Sequence, residues 1–308
     1  MIDEHETFGG TWPFKAQYFA GQGFRQHYAD EGSRDSDETF VLLHGEPTWG
    51  YIYRNLIPGL REIGRVLVPD HMGFGKSETP QDRDYSAEEH CDNLDALLRS
   101  LDLRDVTLVL HDWGGPIGTN FALRDPGRIK RLFYIDTMPR IGVPDGIDMA
   151  ALAKEGLTPW AEFFTSEAYL PVMSHLSRTI LSVLKLVGFE NNEVITEDWI
   201  RAYAAPFPTP ESCKGAIAFP LDNLKPETHS YLEAAMKKPG VREALGAKPV
   251  MMVMGAEDRL IPEVLVSGLF REIWPDAGII KLPNVGHFAQ EDAPETLVTM
   301  IETFVGSP

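Results

Sequence analysis

Residues 106–118, VTLVLHDWGGPIG, constrain the fold more than any other stretch of this chain. Valine, threonine and leucine fill five successive positions, which fits a strand buried on both faces. The run meets His111-Asp112-Trp113-Gly114-Gly115 and then passes into a helical pattern. A strand that becomes a helix within so few residues needs a tight turn, and glycines just past the apex let it close without a Cβ clash. Such a turn presents one side chain above the end of a sheet, the arrangement of a nucleophile elbow. The apex residue here is Asp112 rather than serine. A helix N-terminus favours an anion at that position, and an aspartate is a nucleophile that needs no base to activate it. Helix capping alone would also place an aspartate there; the choice between the two readings rests on partners elsewhere in the chain.

Five further apolar runs read as buried strands: 40–44 (FVLLH), 65–69 (RVLVP), 131–135 (RLFYI), 249–254 (PVMMVM) and 278–282 (GIIKL). Helical stretches separate them. In 86–101, Ser86 is placed as an N-cap with Glu89 at the capping-box position, and Leu94, Leu97, Leu98 and Leu101 recur at helical spacing. Strand alternating with helix predicts an α/β fold with a mostly parallel central sheet and helices on both faces. Residues 16–20 and 24–29, joined around Gly21-Gln22-Gly23, are expected as two antiparallel edge strands. Between 139 and 225 the pattern breaks into a stretch rich in proline and aromatic residues, with a helix expected over 172–187 and no parallel strand. We therefore expect a core over 1–138, an inserted helical cap over 139–225 and a second core part over 226–308. Such a cap sits over the C-terminal edge of the strands, where ligands bind in open α/β sheets.

Charge and composition exclude several functions. The 28 basic and 46 acidic residues give a formal charge of −18, which argues against a nucleic-acid footprint and against a polybasic membrane anchor. No apolar run approaches the roughly 18–20 residues that span a bilayer. The first residues, MIDEHETFGG, lack a basic, apolar leader, so a cytoplasmic protein, monomeric by default, is expected. The two cysteines, Cys91 and Cys213, make neither a disulfide framework nor, with histidine, a metal-ligand pattern.

Partners for Asp112 follow from the other strand ends. Leu42-Leu43-His44-Gly45-Glu46-Pro47-Thr48-Trp49 fits the loop that lends one backbone N–H to an oxyanion hole, the second coming from the residue after the nucleophile. That assigns the amides of Glu46 and Trp113. His44 reads as a structural residue at the loop base. Pro283-Asn284-Val285-Gly286-His287-Phe288 follows the last strand, and of the nine histidines only His287 lies in such a late strand-to-loop context, where a general base belongs. Asp258, in Gly255-Ala256-Glu257-Asp258-Arg259, is expected to orient His287, since the order nucleophile, acid, histidine matches this arrangement. Asp136, at the end of 131–135, is its rival, and Glu257 a weaker one. Asp70-His71-Met72-Gly73-Phe74-Gly75-Lys76-Ser77 reads as a structural turn, with no phosphate-loop spacing.

With these motifs in view, the sequence resembles the haloalkane dehalogenase family of the α/β-hydrolase superfamily over nearly its whole length. HGEPTW (44–49), DHMGFGKS (70–77), HDWGG (111–115), GAEDRLIP (255–262) and GHF (286–288) carry the resemblance. In the cap, Ala202-Tyr203-Ala204-Ala205-Pro206-Phe207-Pro208 is shared with the subfamily whose acid follows a late strand. The resemblance implies that Asp112 displaces halide from a small halogenated aliphatic substrate, and that His287, aligned by Asp258, activates the water that hydrolyses the ester. It further implies that no metal and no organic cofactor are required, and that Trp113 and a cap tryptophan hold the halide ion. Trp160 in GLTPW (156–160) fits that second place best, with Trp199 as competitor, and Phe163, Phe164, Phe219 and Pro220 are expected to line the same cavity. HDWGG is also shared with epoxide hydrolases. The alternative implied is an epoxide hydrolase with the same triad, for which Tyr169 and Tyr203 would supply the acid. A fluoroacetate-type dehalogenase fits less well, since no arginine pair flanks Asp112 to clamp a carboxylate. A ligand-binding member without catalysis usually loses the nucleophile or the histidine, and both are present here.

Overall fold

The computed structural model describes residues 2–144, 146–147 and 158–306. Eight strands form one sheet: β1 Gln17–Phe19, β2 Gln26–Glu31, β3 Thr39–Leu43, β4 Arg65–Pro69, β5 Val106–His111, β6 Ile129–Ile135, β7 Val250–Gly255 and β8 Ile279–Leu282. Their order is β1-β2-β4-β3-β5-β6-β7-β8. β2 runs antiparallel to β1 and β4, and every pairing from β4 to β8 is parallel. The predicted strands all form, with boundaries moved by no more than a few residues.

The central strands carry long apolar runs because both of their faces are covered. β4 and β5 are buried along their whole length. On β6 successive side chains point to opposite faces. Phe133 meets Phe304 of the C-terminal helix, while Tyr134 meets Phe270 and shares a hydrogen bond with Thr119 on the other side. Helices α1 Ile57–Leu60, α2 Ala87–Ser100 and α3 Gly114–Arg124 follow β3, β4 and β5. The side chain of Ser86 caps α2 by accepting the Glu89 N–H. Glu89 does not return the bond to Ser86; its carboxylate accepts the N–H of Tyr85 instead.

Between β6 and β7 lie α4 Pro159–Phe164, α5 Tyr169–Met173, α6 Leu176–Val187, α7 Glu197–Ala204, α8 Lys214–Asp222, α9 Pro226–Met236 and α10 Val241–Gly246. The expected helix at 172–187 is two helices, with α5 ending at Met173 and α6 beginning at Leu176. α9 packs against α2 and α3. We keep the core–cap division at 138/139 and 225/226 as a proposal. α11 Glu263–Arg271, α12 Ala289–Asp292 and α13 Pro294–Gly306 complete the chain. No described helix is long and apolar enough to cross a membrane.

The sheet order reverses at β3: the chain goes from β3 to β4 on one side and then to β5 on the other. Such a switch point opens a crevice beyond the C-terminal strand ends. The register aligns Leu43 with Leu110, His111 with Ile135 and Ile135 with Val253. The loops after β3, β5, β6 and β7 therefore start side by side. They carry Glu46, Asp112, Asp136 and Asp258.

Candidate active site

Asp112 occupies the turn between β5 and α3 with φ +48°. That left-handed conformation costs a non-glycine residue about 1–2 kcal/mol, and tight packing enforces it here. A Cβ on Gly114 would lie 2.3 Å from the Leu43 carbonyl oxygen, and one on Gly45 would lie 1.9 Å from Asp112 Oδ1. The Thr137 hydroxyl donates to the Asp112 carbonyl, and the Gly115 N–H donates to the same oxygen at 2.9 Å. The side chain is lifted above the sheet, where the Glu46 N–H donates to Oδ1 at 2.7 Å and the Trp113 N–H also stabilises the carboxylate. The two amides expected to form an oxyanion hole thus converge on Asp112.

His287 is fully buried and bridges two carboxylates. Nδ1 donates to Asp258 Oδ2 at 3.0 Å, and Nε2 stands 3.6 Å from Asp112 Oδ2. The second distance exceeds a hydrogen bond but lies within ion-pair range. Burial by itself would lower the ring's pKa, but the Asp258 and Asp112 charges outweigh it and hold His287 well above the ordinary histidine value. Burial would likewise raise Asp112; the facing imidazolium, His111 and the Trp113 amide reverse that and keep its carboxyl below the usual range. The free site is therefore an ion pair with a charged nucleophile.

The structure separates Asp258 from Asp136. Asp258 holds His287 and uses its other oxygen to accept the Leu260 N–H at 2.6 Å. Asp136 accepts the Gly255 N–H at 2.6 Å, and its second oxygen is buried without a partner. Burial, together with the Asp258 charge, pushes the Asp136 carboxyl well above its ordinary value, which favours its neutral form. Glu46 is likewise raised by burial and by the Asp112 charge, and one of its carboxyl oxygens is buried with no partner.

Above Asp112 is a cavity of about 420 Å³, lined by Glu46, Asp112, Trp113, Trp160, Phe164 and Leu260, among other mostly apolar residues. Trp113 stacks on Phe219 at 4.7 Å, which places Phe219 behind the cavity wall rather than in it; Phe163 is not in the lining either, whereas Pro220 is. Trp160 sits in the first turn of α4. Thr158 caps that helix through the Ala161 N–H, and its hydroxyl donates to Leu260 O at 3.0 Å. Gly156 and Leu157 of the same motif lie outside the described residues. Trp199 does not reach the cavity: it is buried, and its indole N–H donates to Glu291 at 3.1 Å. Neither of the two tyrosines considered for epoxide chemistry faces the cavity. Tyr169 donates to Ile217 O and Tyr203 to Glu291. His44 is structural, accepting the His71 N–H on Nε2 and donating from Nδ1 to Gly45 O. Asp70 closes its turn by accepting the N–H groups of Gly50 and Lys76. Among the described residues, no cluster of His, Cys, Asp or Glu is arranged to hold a metal.

A family model for the alpha/beta hydrolase fold matches residues 38–294. The chain belongs to the α/β-hydrolase family. Among the relatives of this α/β hydrolase, a haloalkane dehalogenase of Psychrobacter cryohalolentis is 34% identical over 291 residues, covering 91% of this chain and 87% of its own. A cis-3-alkyl-4-alkyloxetan-2-one decarboxylase of Shewanella oneidensis is 31% identical over 304 residues, covering 95% and 89%. Among solved structures, the tetrameric haloalkane dehalogenase DpaA of Paraglaciecola agarilytica superposes with a TM-score of 0.75 at 28% identity, covering 97% of this chain and 94% of that one. The similarity to haloalkane dehalogenases expected from the motifs is met by both sequence and structure.

Sequence reasoning did not find Thr137, whose hydroxyl braces the elbow, or Glu291 and Asp292, which hold the His287 loop. The signal for the last two was present, because acidic residues follow the histidine at four and five positions.

Proposed function

We propose that this α/β hydrolase is a haloalkane dehalogenase. One observation carries the reading: a charged carboxylate stands at an elbow beneath a mostly apolar cavity whose described lining includes two tryptophans and no tyrosine. An sp³ carbon bearing halogen reaches Asp112 from the cavity. A new O–C bond forms as the carbon–halogen bond breaks, and the halide leaves with the electron pair. An anion in such a cavity needs donors, and indole N–H groups donate without presenting a lone pair. Trp113 and Trp160 supply them.

Ester formation removes the Asp112 charge. One of the two carboxylates that keep His287 protonated is then gone, so the ring releases its proton more readily and becomes a base. It takes a proton from water, and the hydroxide attacks the Asp112 carboxyl carbon. The N–H groups of Glu46 and Trp113 hold the resulting oxyanion. Collapse expels the alcohol, protonated by His287, and the net products are alcohol, halide and a proton. Asp258 aligns the ring and stabilises its charged form.

A second reading rests on the similarity to the oxetanone decarboxylase. Attack by Asp112 on the ring carbon next to oxygen would open an oxetan-2-one, with its own carboxylate as leaving group. Loss of CO2 with expulsion of the Asp112 carboxylate would then leave an alkene and consume no water. Assays run in parallel test these readings: bromide release from 1-bromobutane and 1,2-dibromoethane, hydrolysis of styrene oxide, and alkene formation from a cis-3,4-dialkyl oxetan-2-one. Bromide release abolished by Asp112→Asn supports the dehalogenase. Turnover of the epoxide or the lactone with no halide release overturns it.

A further inference from the structure

The His287 loop is bonded to the cap on both sides of the histidine. Asp292 Oδ1 accepts the N–H groups of Glu190 and Asn191, both at 2.8 Å, and Oδ2 accepts the Gly286 N–H at 2.7 Å. One carboxylate thus ties the residue before His287 to the cap turn that follows α6. The Phe288 N–H donates to Gly188 O at 3.1 Å on the other side of the histidine. The approach is backbone on backbone, since a Cβ on Gly286 would lie 2.6 Å from the same Gly188 oxygen. The acid loop meets the same turn. The Arg259 N–H donates to Val187 O at 3.1 Å, and its guanidinium reaches Glu190 at 2.8 Å. Residues 187–191 therefore bridge the loops that carry Asp258 and His287.

Glu291 anchors the other flank. Arg54 grips it with two bonds, at 2.6 and 2.8 Å, while Trp199 and Tyr203 of α7 donate to the same carboxylate. Arg54 and Glu291 both belong to the core, so a cap that moved away would leave the ion pair in place but strip two donors from a buried carboxylate, and the cap thus has a defined seat on the loop.

We propose that Asp292 is a positioning residue that sets His287 against Asp112 and Asp258 by locking its loop to the cap turn 187–191, with Glu291 as the adjoining anchor. Asp292 touches neither substrate nor the reacting atoms. Its effect falls on the step that needs His287, the hydrolysis of the Asp112 ester, and spares formation of that ester, which needs only the nucleophile. This prediction rests on the dehalogenase reading for its substrate but not for its geometry.

The test uses the full chain with Asp292→Asn, Asp292→Ala and Tyr203→Phe, the last removing one cap donor while keeping the ring. With 1-bromobutane, the Asp292→Ala protein releases a burst of bromide and accumulates alkylated Asp112 by mass spectrometry. Its ester hydrolysis slows about 100-fold, the scale of a small misplacement of a reacting group. Asp292→Asn, which keeps one acceptor oxygen, recovers part of that rate, and Tyr203→Phe shows a milder form of the same defect. Without substrate, an NMR titration of the His287 ring shows its pKa falling toward the ordinary histidine value in Asp292→Ala. Both steps slowing equally, with no ester and an unmoved His287 titration, would overturn the proposal and leave Asp292 a stabilising contact. Absence of bromide release from the unaltered enzyme would defeat the dehalogenase reading instead, and the titration alone would then decide the positioning role.

Discussion

Replacing Asp258 with asparagine removes one negative charge next to His287 and changes little else. The side chains are nearly isosteric, that of Asp258 is almost fully buried, and its Oδ2 lies 3.0 Å from Nδ1 of a histidine with no exposed surface. Two unit charges about 4 Å apart in an effective dielectric of about 20 interact by about 4 kcal/mol. An amide oxygen turned to Nδ1 would restore part of this, so the net loss is about 2–4 kcal/mol on the step in which the ring becomes charged. That slows ester hydrolysis by roughly 30-fold to 1000-fold. Attack by Asp112 on the substrate needs no base, so the alkyl ester accumulates. Asp136→Asn is the control: burial and the Asp258 charge favour the neutral form of Asp136, an amide resembles that form, and Asp136 makes no bond to the imidazole, so the rate changes by less than about 10-fold. Rapid-quench measurement of bromide, with mass spectrometry of the protein, follows both steps. Ester accumulation in Asp136→Asn with none in Asp258→Asn would refute the assignment of the orienting acid.

Other perturbations have defined outcomes. On the dehalogenase reading, Trp113→Phe or Trp160→Phe removes one proposed donor to the halide, worth about 1.5–3 kcal/mol for a bond to a charged group; bromide inhibition weakens about 10-fold to 100-fold, while Trp199→Phe leaves it unchanged. Because the folded state raises the Glu46 carboxyl, it binds a proton that the unfolded chain loses above about pH 4. Stability is thus withdrawn as pH rises from there toward the folded value. Glu46→Gln therefore raises Tm more at pH 8 than at pH 4, and an equal shift at both would contradict the buried acid. The signs for the ion pair differ between its members. The depressed Asp112 stabilises above its unfolded value and loses that contribution as pH falls through its folded one, whereas the raised His287 stabilises fully below about pH 6.5 and loses its contribution as pH rises through its folded value. The Tm difference between the unaltered protein and His287→Gln therefore narrows on the alkaline side, as a pH series of melting curves would show.

The sheet was legible because its central strands are buried on both faces and interrupted by long helices. The residues at the strand ends were legible because each closes an apolar run: Asp112 after β5, Glu46 after β3, Asp258 after β7 and His287 after β8. Sequence alone left Asp258 against Asp136 open, since both follow parallel strands and only three-dimensional geometry shows which carboxylate the imidazole meets. The tryptophans posed the same difficulty. Trp160 and Trp199 are both aromatic residues of short helices, and what divides them is a bond to Glu291, 92 residues away in sequence. The break between α5 and α6 escaped because apolar residues at helical spacing continue across Ser174 and His175. The roles of Glu291 and Asp292 depend on where a distant cap turn falls, which no local pattern records.

The central claim is that the Asp112 carboxylate is covalently esterified and then freed by attack at its own carboxyl carbon. Single-turnover hydrolysis of 1-bromobutane in heavy-oxygen water, followed by digestion and mass spectrometry, reads this directly. The account predicts that the peptide containing Asp112 acquires the heavy isotope while the alcohol of that first turnover carries the ordinary one. Heavy oxygen in the alcohol and none in the Asp112 peptide would mean that water attacks the substrate itself, contradicting the account.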